Sequence, residues 1–476
     1  MNLNNRNTLS LYTTQNFNNS YNDGVTKVSL NNVLLTHSPN ASSIKSTSGV
    51  YNMNYKHSLN EKGDHNIDLE ANYSKSSTPE NAVYDDKISP NNMALNYTND
   101  VLNEQENTIV NLDYSKPLGE KSKLELGTEV RLNNTSNQNN TTQENVDTSA
   151  FNYKRSIYSG YVNYSKSYDK FMMQLGARFE QYDVDGKFQR STEKANYTDN
   201  IFSVYPSVFL TYIPSKQHQF QFSYSRRVDR PSIGQVNPIR EWSTPLITSI
   251  GNPDLVPQFT NSFETNYTKQ LKKGGITAGV FYRRINNTIS RFSTIDELDD
   301  NRQLLSYANY NATNRYGIEL STYYSVKKWW RINGSIELYS KKDLTPTREV
   351  TTNSLSARIS NSITASKRLN FQVFAMINAP ENGIQFERKT MWMLNIGSSY
   401  SILDGKGTIS LRVNDIFNGM RFKFDSLEPY EQNGQFKWES RTVYLGFDYR
   451  FGNGKNRALQ RKRRDNNELR ATGGFS

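Results

Sequence analysis

The chain contains no cysteine, only four histidines, and no apolar run long enough to cross a bilayer as a helix. Each scarcity closes a class of function. Without cysteine there can be no disulfide, no thiolate zinc site and no cysteine-held iron–sulfur cluster. The histidines are His37, His57, His65 and His218, and none lies three to five residues from another. The spacing of a histidine metal motif is therefore missing. A serine–histidine hydrolase has few candidates, and no Gly-x-Ser-x-Gly, His-Glu-x-x-His or phosphate-binding Gly-Lys-Ser/Thr motif occurs. Neither an enzyme nor a cofactor is expected. The longest apolar run, Val373 to Ile377, falls far short of the ~20 residues a membrane helix needs. Met1 to Asn5 shows neither the basic start nor the apolar stretch of a secretory signal.

What is present is polar and aromatic at once. Only 35% of the residues are hydrophobic and mean hydropathy is −0.78. Yet 30 tyrosines, 23 phenylalanines and 5 tryptophans argue against a disordered chain, which is poor in aromatics. This combination fits a membrane β-barrel, where alternate strand residues meet lipid while lumen and loops stay polar. The net charge of +11 could suggest nucleic acid. The densest basic cluster, however, lies in the tail after Phe451 (Lys455, Arg457, Arg461 to Arg464 and Arg470). That tail reads more simply as a solvated, disordered periplasmic extension over 452–476, and no nucleic-acid partner is expected.

Period-two alternation is the dominant signal. Leu124, Leu126, Val130 and Leu132 share one face with Thr128, and Lys123, Glu125, Gly127, Glu129 and Arg131 share the other. Phe171, Met173, Leu175, Ala177 and Phe179 likewise face away from Gln174, Gly176, Arg178 and Glu180. Comparable stretches begin at Ile67, Ile276, Ile318, Ile409 and Val443. Each persists for about ten residues, the length of a tilted membrane-crossing strand.

Connections alternate in length. Tight turns are expected near Glu61–Asp64, Leu118–Lys121, Tyr168–Lys170, Pro214–Lys216, Lys272–Gly275, Val326–Lys328, Ser366–Arg368 and Asp404–Lys406. Long polar loops are expected at about 76–105, 134–150, 185–200, 229–258, 290–310, 341–352, 380–388 and 418–438. Short turns in the periplasm and long loops outside the cell mark an outer-membrane barrel. The fold expected is thus all-β, a transmembrane antiparallel β-barrel over 1–451 in the cell outer membrane.

About 19 strands can be counted, whereas a complete bacterial barrel has an even number. An open edge in lipid is costly. The reading is therefore the C-terminal part of a longer barrel, with N-terminal strands missing.

The most specific region reads Tyr205-Pro206-Ser207, Phe222-Ser223-Tyr224-Ser225-Arg226-Arg227, Asp229-Arg230-Pro231-Ser232, Gln235-Val236-Asn237-Pro238, Gly251-Asn252-Pro253-Asp254-Leu255-Val256-Pro257 and Asn261-Ser262-Phe263-Glu264. Physically this is a strand pair joined by a long outer loop that proline stiffens without a sheet. The order of segments resembles the barrel of TonB-dependent receptors, in particular the outer membrane β-barrel family. Asp415-Ile416-Phe417-Asn418 and the last strand, Thr442 to Phe451, are similar to that family's closing motifs.

The resemblance implies a whole of about 22 strands, and a plug domain that this sequence does not show. It also implies an inner-membrane energy-coupling partner and import of a bulky small-molecule or oligomeric nutrient. A plugless pore, adhesin or structural barrel is the alternative.

Arg226, Arg227 and Arg230 read as a lumen and rim arginine ladder paired with neighbouring acids, or as contacts to an anionic substrate or the plug, since arginine forks match carboxylates and phosphates. Trp242 is a candidate for stacking on a sugar. Trp329, Trp330, Trp392 and Tyr449 are expected in the interface girdles. Asp183–Gly186 and Asp296–Asp300 read as acidic solvated loops, with calcium a weaker option because the first lacks a closing glutamate.

Overall fold

Alternation between lipid and water dictates strands, and strands make up most of the described residues. The computed structural model describes residues 2–4, 6–30, 33–88, 93–142, 147–191, 193–244, 247–297 and 299–451. The first ten strands are β1 (Asn2–Asn4), β2 (Asn7–Leu30), β3 (Val33–Ser58), β4 (Asn66–Ile88), β5 (Met93–Pro117), β6 (Ser122–Thr141), β7 (Ser149–Ser167), β8 (Phe171–Arg190), β9 (Glu193–Ser215) and β10 (His218–Asp229). A loop follows that holds helix α1 (Ile233–Val236) and the short strands β11 (Glu241–Thr244) and β12 (Ile247–Ser249). Then come β13 (Gln258–Leu271), β14 (Gly274–Asp296), β15 (Asp299–Lys327), β16 (Trp330–Leu344), β17 (Glu349–Thr364) and β18 (Leu369–Asn378). The chain ends with β19 (Glu381–Asn382), β20 (Phe386–Arg388), β21 (Met391–Ile402), β22 (Gly407–Val413), β23 (Phe422–Ser426), β24 (Gln432–Phe436) and β25 (Val443–Tyr449).

Twenty-one of these strands form one sheet, and β19, β20, β23 and β24 form a second, four-stranded one. Setting aside the loop strands β11 and β12 leaves nineteen members of an up-and-down antiparallel meander, of which β1 is a three-residue stub. Among the described residues β25 pairs only with β22, and β2 has only β1 beyond its pairing with β3. Among the described residues the wall therefore has two free edges. Leu445 on β25 is 74% exposed, against 45% for its neighbour Leu411 on β22.

Burial is inverted relative to a water-soluble protein. On β6, Leu126 is 39% exposed while Glu129 is 3% exposed. On β8 the same contrast separates Phe179 from Glu180. Apolar side chains thus point outward, and charged ones point into the curve of the wall, as in a barrel with a lipid-facing band and a polar lumen.

The tight turns fall where the sequence places them, between β3 and β4, β5 and β6, β7 and β8, β9 and β10, β13 and β14, β15 and β16, β17 and β18, and β21 and β22. The long loops are mostly something else. Residues 76–105, 134–150, 185–200 and 290–310 are largely strand: β4–β5, β6–β7, β8–β9 and β14–β15 continue their pairing far beyond the span a membrane needs. β15 alone has 29 residues. Above the membrane the outward face meets water instead of lipid, so serine, threonine and asparagine replace the apolar positions there while the backbone pairing continues. The alternation fades there although the strand persists. Asp183–Gly186 lies inside β8 for the same reason, and not in a loop.

The segment 229–258 is a loop as expected, but it carries sheet: β12 adds in parallel to β15, pairing Ile247 with Gln303. The basic tail, 452–476, lies outside the described residues.

Candidate functional site

Inward-facing side chains of neighbouring strands build the site, and cross-strand register decides which of them meet. Arg178 on β8 donates from Nη2 to Glu129 of β6 at 2.6 Å and from Nε to Glu180 at 2.6 Å. It also donates to the Ser159 hydroxyl at 2.6 Å. Arg131 stands 2.8 Å from Glu129. Arg230, just past β10, donates to Glu180 and lies over the Tyr182 ring, 5.2 Å from its centroid. The charges therefore alternate along the series Arg131, Glu129, Arg178, Glu180, Arg230. Glu129, Glu180 and Arg230 are almost fully buried, and buried charge persists only where it is paired and hydrogen-bonded.

A second row crosses the next part of the lumen. Arg283, Arg315 and Lys341 stand directly opposite one another on β14, β15 and β16. Like charges so placed repel, and each is held by its own acid. Arg283 pairs with Glu264 at 2.8 Å and Arg315 with Glu337 at 2.8 Å. Lys341 pairs with Glu381 at 2.9 Å and Asp343 at 3.0 Å. Gly317 sits in register between Phe281 and Tyr339. Its missing side chain opens a slot in which the Arg315 guanidinium stacks 3.9 Å from the Tyr339 centroid and 6.0 Å from that of Phe281.

The loop between β10 and β13 folds inward over these rows. Val236, Ile239 and Leu255 pack with Phe151, Tyr153, Phe188 and Ile289, which lie on the inner faces of β7, β8 and β14. Arg240 grips Asp296 with two bonds, 2.8 and 3.0 Å, so that carboxylate is occupied by a cation of its own chain. Asn252 donates to the Tyr307 carbonyl at 2.9 Å, and Val256 and Asn309 exchange two bonds of 2.9 Å. The return turn is tied by Gly251 N–H to Asn237 O, 2.8 Å, and Asn252 N–H to Gln235 O, 2.7 Å. Gly251 is required there: a Cβ would stand 2.5 and 2.6 Å from Asn237 backbone atoms and 2.9 Å from Gln235 O. The Gly-Asn-Pro motif thus marks a close backbone approach.

A second lid comes from the small sheet. Gln385 donates to the Ser293 carbonyl at 2.9 Å and accepts from its N–H at 2.6 Å, and Gln432 reaches Gln303 at 3.2 Å. Both lids therefore rest on the β14–β15 hairpin.

The three arginines singled out in the sequence do not form one cluster. Arg230 is buried in the first charge series. Arg226 stacks over Phe259 at 4.9 Å. Arg227 is exposed. Trp242 lies on β11 opposite Thr248, and its side chain lies outside the described ones. Glu129, Arg178, Arg283, Arg315 and Lys341 were visible only as polar positions of alternating strands; their pairing needs register, which the sequence does not display. The Asp415 motif forms a corner at the outer end of β22. Asp415, at φ 43°, accepts from Gly419 N–H at 2.8 Å, Met420 N–H at 3.1 Å and Ser440 Oγ at 2.5 Å. Trp329 and Trp330 stack at 6.1 Å beside a tight turn, and Trp392 packs on Phe417 at 5.9 Å near the other end of the wall.

A polar lumen, an apolar outer band and one-sided long hairpins define an outer-membrane β-barrel. The chain belongs to the outer membrane protein beta-barrel family, whose model matches residues 57–449.

Solved structures share the fold. The siderophore receptor PiuA from Acinetobacter baumannii aligns at 12% identity and a TM-score of 0.62, covering 94% of this chain and 78% of that one. The copper transporter OprC aligns at 12% identity and 0.59, covering 93% and 79%. The ferric yersiniabactin uptake receptor FyuA from Yersinia pestis aligns at 9% identity and 0.55, covering 92% and 73%. No curated protein matches by sequence.

Proposed function

We propose that the chain forms the wall and outer lids of an energy-coupled importer for a bulky nutrient. The observation that carries this reading is the inward-folded loop 230–257. It is anchored to inner faces of the wall and stands over a lumen lined by paired charges. A lid of this kind suits a receptor that captures a ligand at its mouth. The family, and the receptors and transporters that share the fold, support the reading.

The two free edges call for further strands, and a total near 22 suits a plugged barrel. A plug and an inner-membrane energy-coupling complex complete the proposal, with residues 452–476 as a basic periplasmic extension. Arg227, exposed at the foot of the loop, is the arginine best placed to meet an anionic substrate or the plug.

Planar-bilayer conductance of the complete gene product tests the proposal. A plugged importer stays closed until the plug is removed, whereas steady open channels would indicate a passive pore. Arg227→Glu is expected to lower uptake of an anionic ligand at least tenfold with unchanged surface level. Equal uptake would remove Arg227 from the site.

A further inference from the structure

The lipid-facing surface of β15 to β17 carries a groove of about 560 Å³, lined mainly by Tyr316, Ile318, Leu338, Leu355 and Ala379, with Ser340 and Asn353 beside Tyr316. One step farther from the tight turns, a polar row crosses the same outward face. Register places Asn261, Arg284, Asn314 and Lys342 side by side on β13 to β16. Directly below runs an aromatic row, Tyr224, Phe263, Tyr282 and Tyr316, also side by side in register. Tyr224 and Phe263 pack against each other with tilted rings, 4.8 Å between centroids. The hydroxyls of Tyr224 and Tyr282 reach up to Asn261 and Asn314, at 3.1 and 3.0 Å. Rings with one apolar body and one wet tip mark the membrane interface. The row above them therefore stands at headgroup level, on the side away from the tight turns, which is the outer leaflet.

Arg284 is exposed and has no acidic partner among the described residues. Its Nε donates to Asn286 at 3.1 Å, which leaves the outer guanidinium donors for a ligand. Lys342 pairs with Glu349 at 2.6 Å, with 40% and 60% of the two side chains exposed. So exposed a pair holds weakly and can exchange partners. A bare cation at headgroup level, a flexible second cation and an acyl-sized groove beneath them match one occupant.

We infer that this face binds the phosphorylated glycolipid of the outer leaflet, with an acyl chain in the groove and a phosphate held by Arg284 and Lys342. Arginine suits that role because its fork matches phosphate oxygens two at a time. The groove is continuous with the lipid-facing band, so the acyl chain reaches it from the bilayer without crossing water.

The test is native mass spectrometry of the protein extracted from outer membranes. It is offered a diphosphorylated, multiply acylated glucosamine disaccharide, the same lipid without phosphates, and inorganic phosphate. The phosphorylated lipid should be retained, the dephosphorylated one at least tenfold less, and inorganic phosphate at 10 mM, roughly the level of a weak ion site, should not displace it. Arg284→Gln with Lys342→Gln should cut retention about tenfold, and Ile318→Trp, which fills the groove, should do the same with both cations in place. Each variant is first checked for the band shift on heating that marks a folded barrel. Equal retention of the two lipids, full displacement by free phosphate, or unchanged retention by folded variants would each overturn the inference.

Discussion

Gly251→Ala should open the mouth lid without unfolding the wall. The added Cβ meets backbone atoms of Asn237 and Gln235, which cannot rotate away as a side-chain tip would. The turn must shift, and two backbone bonds, Gly251 N–H to Asn237 O and Asn252 N–H to Gln235 O, are weakened. Overpacking costs about 1–3 kcal/mol, and each weakened bond adds about 1 kcal/mol. A local loss near 3 kcal/mol is expected, a factor of roughly 100 in the open population. Limited proteolysis under fast-reclosing conditions reads that population directly. Cleavage within 230–257 should accelerate about a hundredfold, while the heat-modified electrophoretic shift of the barrel stays. Gly160→Ala is the control, since its Cβ would approach nothing closer than 3.8 Å. If Gly251→Ala left loop cleavage unchanged, or if the wall unfolded together with the loop, the inward-packed lid would be wrong.

Other consequences follow from the charge pairs and the corner. Arg230→Met strands one oxygen of buried Glu180 while Arg178 still holds the other. It should cost about 3 kcal/mol, the low end for breaking a buried pair, and Glu180→Gln in the same chain should recover part of it; urea titration in detergent measures both. Burial tends to raise the Glu381 carboxyl, but Lys341, with help from Tyr339 and Arg388, outweighs it and holds the group below the usual carboxylate range. The stability it lends is therefore complete above that range and is lost as pH falls through the lowered value. Hydrogen exchange of 379–390 should rise in acid as pH falls below the usual carboxylate range, and Glu381→Gln should abolish that dependence. Asp415→Ala removes three acceptor contacts and leaves a left-handed backbone that alanine disfavours. Exchange at 414–421 should speed by roughly two orders of magnitude, and Asp415→Asn, which keeps part of the bonding and tolerates positive φ, should do less.

The membrane-crossing parts of this fold were legible because lipid imposes a period of two. Leu126 against Glu129 and Phe179 against Glu180 show it in the sequence and again in the exposure of the folded chain. The tight turns were legible for a related reason, since lysine and glycine interrupt the alternation at each return to the periplasm. Above the membrane the signal disappears, because Asn134, Ser136 and Gln138 face water where lipid would demand apolar side chains, and their inward neighbours Asn133, Thr135 and Asn139 are polar too, although buried. The paired β6–β7 extension therefore reads as loop.

The site was legible only in part. Arg230 and the Gly251 turn stood out as motif residues. The pairing of Arg178 with Glu129 joins strands 49 residues apart, and no local pattern announces such a register. The opposition of Arg283 and Arg315 was hidden likewise, as was the slot at Gly317 that receives the Arg315 guanidinium.

The absence of native cysteine allows the central claim to be tested residue by residue. Single cysteines at each position from 124 to 132, in the protein embedded in outer membranes, would be probed with a charged, water-soluble thiol reagent and with a lipid-soluble one. The account predicts alternation: cysteines at 124, 126, 128, 130 and 132 react with the lipid-soluble reagent, those at 125 and 131 with the charged one, and those at the buried inward positions 127 and 129 with neither. Uniform reaction with the charged reagent along the whole segment would contradict a strand that divides lipid from lumen.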